Sequence, residues 1–328
     1  LKLLGFFLVP KNPKASYRMP PYADTSAYTE KLIVIKSGKH ELAGVLTLPK
    51  IGEKFPAVVF VHGSGPSDMD ETIGANKPFK DLATGLASQG IASLRYVKRT
   101  MIYPNEFQDT TFTLKEETEE DALAALAFVK NQPEINADDV YIFGHSLGGI
   151  VAPRLAANHS GIKGIILAAA PARSLAQISV DQTEYLYKLS GDTTAATKQA
   201  VAENIALLKK TEPEHLKNLP ADSVLLSLPV AYWRDVNGLD QVATAKKLKC
   251  RILVLQGGND FQVPGSELTI WQNALKSRKN AQTKLYPMLN HLFVFVSEKG
   301  NTNEYYKAGN VDAVMVNDIA EWIKPKND

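Results

Sequence analysis

Six consecutive residues, Gly144-His145-Ser146-Leu147-Gly148-Gly149, set a serine in the pattern G-x-S-x-G. The chemistry that needs this spacing is nucleophilic attack by a hydroxyl. A serine on a sharp strand-to-helix turn sits in strained backbone, and side chains two positions away would clash, so glycines flank it. Its oxygen then projects at a helix N-terminus, where positive partial charge favours an anionic intermediate. Here the apolar run 140–143 precedes the serine and a helical pattern over 147–158 follows it, which favours this turn over a plain glycine-rich loop.

A serine hydroxyl attacks only when a base takes its proton, and the base is a histidine oriented by a carboxylate. Six histidines are available. His145 precedes the serine and is expected to point away from it. His40, His159 and His215 lie in polar turn or helix surroundings and read as surface residues. His291 lies in Pro287-Met288-Leu289-Asn290-His291-Leu292-Phe293, a loop after the last strand candidate, and is the candidate base. Asp260 lies just past the strand candidate 251–255, where sites in open α/β sheets collect, and is the candidate acid. Its rivals, Asp235, Asp240 and Glu267, follow no strand end.

The developing oxyanion needs two backbone N–H donors. One is expected from Leu147, directly after the nucleophile. The other is expected from Ser64 in the loop His62-Gly63-Ser64-Gly65-Pro66-Ser67-Asp68, with His62 a structural loop histidine. The acidic run 68–71 reads as a solvated loop and the acidic stretch 115–121 as an exposed helix start. There is no H-E-x-x-H, no C-x-x-C and no G-x-G-x-x-G opening a helix after the first strand, so no metal and no cofactor is expected.

These residues need a scaffold. The runs 32–35 and 43–48, joined by Ser37-Gly38-Lys39, form an opening hairpin. Strands covered on both faces are expected over 57–61, 91–95, 140–143, 162–168, 251–255 and 283–286. Helical patterns separate them over 79–88, 115–131, 147–158, 265–277 and 311–323. This alternation implies an α/β fold with a mostly parallel, doubly wound sheet and helices on both faces. It breaks over 171–240, an all-helical stretch expected to be a cap insertion. Residues 28–170 and 241–328 would then form the core, and 1–27 an N-terminal extension. In the cap, Tyr185, Tyr187, Tyr232 and Trp233 either line a substrate pocket or fill the cap's own core.

Composition narrows the class. Across 328 residues, 37 Lys and Arg against 35 Asp and Glu leave a net charge of +2, without the basic footprint of a nucleic-acid binder. No run of 18 apolar residues provides a membrane span. One cysteine, Cys250, excludes an internal disulfide but leaves cytoplasmic and secreted or cell-envelope locations both open. The first residue is Leu1, which suggests a processed or trimmed start. Residues 1–10 read as a strand, the end of an upstream domain, in preference to a signal remnant. Oligomeric state is open.

The set His62-Gly63-Ser64-Gly65-Pro66, the Ser146 motif, Asp260 and His291 resembles the α/β-hydrolase superfamily, from about residue 28 to 324. The stretches 62–72, 76–83, 94–96 and 285–293 resemble bacterial EstD-type carboxylesterases, relatives of the dienelactone-hydrolase group. The resemblance implies a serine esterase for short acyl esters, with Ser146 as nucleophile, Asp260 as acid, His291 as base and a small-molecule ester as partner. Two positions depart from it: Val97 replaces a frequent aspartate and Leu147 a frequent glutamate. The same three residues could serve a peptidase or an acyltransferase. A noncatalytic binding protein of this fold would characteristically lose one of them, and a dehalogenase would carry aspartate in place of Ser146.

Overall fold

The β-branched runs pair into one eight-stranded sheet in the computed structural model, which describes residues 16–108 and 111–324. The expected strand over residues 1–10 lies outside the described residues. The first strands are β1 (Tyr28–Ser37), β2 (His40–Pro49), β3 (Phe55–Val61), β4 (Ala92–Tyr96), β5 (Ile135–His145) and β6 (Gly164–Ala168). A two-residue hairpin follows, β7 (Val224–Leu225) and β8 (Leu228–Pro229), and then β9 (Arg251–Gly257) and β10 (Ala281–Tyr286). The sheet order is β1-β2-β4-β3-β5-β6-β9-β10. The pairings β1/β2 and β2/β4 are antiparallel, and all others in the sheet are parallel.

Alternation along each strand splits the core into two layers, because successive side chains point to opposite faces. Val59, Val61, Ile142 and Ile165 face one layer; Val58, Phe60, Phe143 and Ile166 face the other. The helices are α1 (Pro78–Ala87), α2 (Arg99–Ile102), α3 (Glu120–Lys130), α4 (Leu147–Asn158), α5 (Leu175–Ser190), α6 (Ala195–Lys209), α7 (Pro213–Leu216), α8 (Val230–Asn237), α9 (Gln241–Lys247), α10 (Ser266–Leu275) and α11 (Ala313–Ile323). Side chains of α3, α4, α9 and α10 cover the first face, and those of α1 and α11 the second. The sheet is therefore doubly wound, an α/β-hydrolase fold.

Two expectations need correction. The run 283–286 is not buried on both faces: β10 is an edge strand and Leu285 is 46% exposed. Its β propensity is spent on pairing with β9 alone. The stretch 171–240 is not all helical, since β7 and β8 form a short hairpin. It otherwise carries α5 to α8 between β6 and β9, with α5 ending on Gly191 in the left-handed conformation. Residues 16–27 lie along the body of the fold, where the Tyr17 hydroxyl donates to Asp81 and that of Tyr22 to the Val311 carbonyl.

Candidate active site

The turn between β5 and α4 has the strain its sequence demands. Ser146 adopts φ 53° and ψ −115°, a region an L side chain rarely occupies. A Cβ on Gly144 would lie 2.3 Å from the Gly148 carbonyl oxygen, and one on Gly148 2.2 Å from that of Val61, so no larger residue fits either position. The Ser146 N–H donates to the Ala168 carbonyl at 2.9 Å, locking the turn to β6. Leu147 is the first residue of α4, so its N–H has no intrahelical acceptor. Its side chain is 1% exposed among apolar neighbours of the first core layer.

Parallel pairing brings the other candidates to the same sheet edge, because β5, β6, β9 and β10 all end there. Asp260 follows β9 and is completely buried. Its Oδ1 accepts from the N–H groups of Gln262 (2.8 Å) and Val263 (2.9 Å), and its Oδ2 from Gln256 Nε2 (3.2 Å). That same Oδ2 lies 2.8 Å from His291 Nδ1. A carboxylate so placed accepts a hydrogen bond from Nδ1–H, which keeps the proton on Nδ1 and leaves Nε2 as the ring nitrogen bearing the lone pair. The His291 loop is held in turn by Asn290 Oδ1, which accepts from the N–H groups of Leu292 and Val294. The rivals of Asp260 have structural work elsewhere: Asp240 caps α9, Asp235 pairs with Arg154, and buried Glu267 accepts from Ala172 and Arg173.

The loop after β3 passes directly beside the serine, and a Cβ on Gly63 would meet the Ser146 Cβ at 3.3 Å. Three charged side chains hold this loop. Glu71 Oε1 accepts from the Gly63 N–H at 2.6 Å, Lys98 Nζ donates to the Gly63 carbonyl at 2.9 Å, and Glu117 Oε1 accepts from the Gly65 N–H at 3.3 Å. Lys98 and Glu117 form an ion pair at 2.6 Å. His62 Nε2 donates to the Asp68 carbonyl, and its ring packs against Phe79 and Tyr96. Burial lowers its pKa to about 4, so it is neutral.

His145 is buried. Its Nδ1 lies 2.9 Å from Glu71 Oε2 and its Nε2 donates to the His291 carbonyl at 2.9 Å. Burial opposes charging His145, but the Glu71 carboxylate outweighs it and raises the imidazole above its ordinary range. Burial likewise opposes charge on Glu71, and the His145 partner nevertheless holds it below its ordinary value. The pair is an ion pair, and it links the Gly63 loop to the His291 loop through the residue beside Ser146.

These contacts correct two readings of charge. The run 68–71 is no solvated loop: Asp70 and Glu71 are buried, and Asp70 pairs with Arg95 and Lys77. The stretch 115–121 is no exposed helix start: it opens as a π-helical turn, Lys115–Glu119, with Glu117 and Asp121 buried against Lys98 and Arg99. His40 is also buried, beside Glu106. Lys98, Glu117 and Glu71 are the site residues that sequence reasoning missed. The one available signal was an acidic run close behind a glycine-rich loop.

The aromatic candidates have separate places. Trp233 is wholly buried and its indole N–H donates to the Leu225 carbonyl, so it fills core rather than an open wall. Tyr232, 3% exposed, lies against Phe112, and its hydroxyl faces the Glu117 carboxylate. Burial first, and then that carboxylate, hold its pKa well above the usual tyrosine value. Tyr185 is half-buried, stacks on Phe261 and donates to the carbonyls of Lys299 and Gly300. Among the described residues no His, Cys, Asp and Glu cluster could hold a metal, and no helix is long and apolar enough to cross a membrane.

Fold and site together define a class, the serine hydrolases of α/β-hydrolase fold. The sequence matches the family described as "Serine aminopeptidase, S33" over residues 115–298, and the chain belongs to it. It is 38% identical over 322 residues to Esterase EstD of Thermotoga maritima, covering 98% of this chain and 74% of that protein. Solved structures of the same fold include Est1E from Butyrivibrio proteoclasticus (TM-score 0.55, 17% identity, 89% of this chain and 98% of that one). Another is the uncomplexed Pyrococcus horikoshii acylaminoacyl peptidase (TM-score 0.57, 18% identity), of which 43% is covered against 92% of this chain. A putative dienelactone hydrolase from Klebsiella pneumoniae also aligns (TM-score 0.52, 16% identity, 91% of this chain and 99% of that one). The chain is thus an enzyme, a serine hydrolase.

Proposed function

We propose that this serine hydrolase is a carboxylesterase for short acyl esters, working through a Ser146–His291–Asp260 triad. The observation that carries the reading is the buried Asp260–His291 contact of 2.8 Å, its histidine carbonyl held by His145, the residue beside the strained serine. Ser146 attacks the ester carbonyl while His291 takes its proton. Asp260 keeps the imidazole in the required tautomer and offsets the positive charge that forms. The N–H groups of Ser64 and Leu147 stabilise the oxyanion. His291 then protonates the leaving alcohol, and water repeats the sequence on the acyl-enzyme.

Residues 171–240 act as the cap over this site, on a core of 28–170 and 241–328, with Tyr232 and Tyr185 nearest to the substrate. Esterase EstD, aligned over nearly the whole chain, favours an ester over an amide. The aminopeptidase family description keeps peptide substrates as the second reading.

The deciding assay is hydrolysis of p-nitrophenyl acetate, butyrate, octanoate and palmitate beside a peptide p-nitroanilide, with Ser146→Ala alongside. The expected result is turnover of the short esters, reduced on the order of 10⁴-fold in the variant. Undiminished turnover in Ser146→Ala overturns the mechanism, and turnover confined to the anilide moves the enzyme to the peptidases.

A further inference from the structure

Lys98 is 1% exposed and Glu117 4% exposed, and neither belongs to the triad. A buried lysine–carboxylate pair is a costly way to fill space, because methionine or leucine of similar volume is often neutral or stabilising there. What the pair touches offers the reason. Lys98 Nζ donates to the Gly63 carbonyl, and Glu117 Oε1 accepts from the Gly65 N–H. On the other side Glu71 takes the Gly63 N–H. Three successive peptide groups, 62–63, 63–64 and 64–65, are therefore each held by a charged side chain.

The middle one matters most. A trans peptide is planar, with its C=O and the next N–H pointing in opposite directions. Whatever holds the Gly63 carbonyl also aims the Ser64 N–H, and the atom that holds it is the Lys98 ammonium. The neighbouring N–H groups of Gly63 and Gly65 are turned to carboxylates, so Ser64 is the donor this stretch presents beside Ser146.

We propose that the Lys98–Glu117 ion pair is a positioning clamp that presets the Ser64 N–H of the oxyanion hole. This rests on the esterase reading above. Oxyanion donors accelerate a reaction because they need no reorganisation when charge develops, and a loop of glycines and a serine has no such rigidity of its own. The clamp also reaches the cap, since the Tyr232 hydroxyl faces Glu117. The next residue provides an internal control. Arg99 is equally buried and pairs with Asp121 at 2.5 Å, but its other contacts run to Glu120 and to Ser37 at the opening hairpin.

The test compares the full chain with Lys98→Met, Glu117→Gln and Arg99→Leu, using p-nitrophenyl butyrate and a trifluoromethyl ketone that forms a tetrahedral adduct on serine. In Lys98→Met, kcat is expected to fall on the order of 10²-fold, the loss typical of one oxyanion donor. KM should stay within about threefold, and ketone affinity should fall in parallel with kcat/KM. Glu117→Gln keeps an acceptor for the Gly65 N–H but not the charge, so it should lose less by both readouts. Arg99→Leu should lower the melting temperature and leave kcat per folded molecule unchanged.

Folded Lys98→Met with unaltered kcat and ketone affinity overturns the clamp, as does an equal kcat loss in Arg99→Leu. If Lys98→Met does not fold, Glu117→Gln decides: undisturbed kcat and ketone affinity there also overturn it. Turnover surviving in Ser146→Ala instead removes the esterase mechanism itself, a separate failure.

Discussion

The two sides of the site are held by different physics. On the His291 side, Asp260 is fixed by neutral donors, two backbone N–H groups from the turn just after β9 and the Gln256 amide at its end. On the Ser64 side, the loop is fixed by charged groups: Glu71 from close behind it, and Lys98 and Glu117 from distant positions. A carboxylate that must remain an acceptor needs only well-placed donors. A glycine-rich loop that lacks secondary structure needs strong, directional partners, and charge-assisted hydrogen bonds are the stronger kind. The contrast teaches that the Asp260 carboxylate is fixed mainly by its own turn, whereas the Gly63–Gly65 loop depends on side chains from beyond β4 and from the π-helical turn.

The largest expected effect is on the His291 side. Asp260→Asn should cut kcat on the order of 10⁴-fold by permitting the wrong imidazole tautomer. Because Oδ1 can go on accepting from Gln262 and Val263, the melting temperature should change far less than activity, as a calorimetric scan beside the ester assay would reveal. A variant that unfolds would erase the claim that this arm is held locally.

Trp233→Ala, away from both arms, should cost about 3–5 kcal/mol in urea unfolding, as expected for a buried tryptophan. A much smaller cost would mean that residues 171–240 pack more loosely than the core.

Next comes pH. Glu71 titrates below its ordinary 4.5 and His145 above its ordinary 6.5. The Glu71 contribution is present above pH 4.5 and lost as pH falls through its lower folded value. That of His145 is present below pH 6.5 and lost as pH rises through its higher folded value. Wild type should therefore exceed Glu71→Gln in melting temperature most clearly between about pH 4.5 and 6.5. A difference between the two proteins that stays constant across pH would remove the Glu71–His145 ion pair.

The smallest effect is at Glu304, on the 3₁₀ turn Thr302–Tyr306. Burial, with the Asp260 charge adding to it, raises its carboxyl to about 7 despite hydrogen bonding with Asn290. A raised acid favours folding at low pH, so its contribution is present below 4.5 and lost as pH rises through 7. Glu304→Gln should match wild type below pH 4.5 and melt slightly higher at pH 8. Equal melting at pH 8 would show that this acid is solvated.

The residues of the strained turn were legible in the sequence because local sterics dictate them: at Gly144 and Gly148 no Cβ fits, whatever surrounds the turn. Asp260 and His291 were legible because each lies one short loop beyond a strand, and parallel strands deliver their ends to one edge. The fold class was legible for a similar reason, since β-branched runs and helical spacing alternate along the chain. Edge position was not: residues 283–286 carry an apolar-enough run, but only the strand order decides that β10 has one neighbour.

Charge was the least legible property. Glu71, Lys98 and Glu117 have the composition of solvated loops and helix starts, and only burial against one another gives them a task. The sequence by itself determined the side chains on offer: a serine in a turn that only glycines permit, with an aspartate and a histidine just past strand ends. Tertiary structure alone decided which charges face each other in the interior, because a pair such as Lys98 and Glu117 acquires its meaning from desolvation and distance. Neither quantity is written in residue type or local spacing.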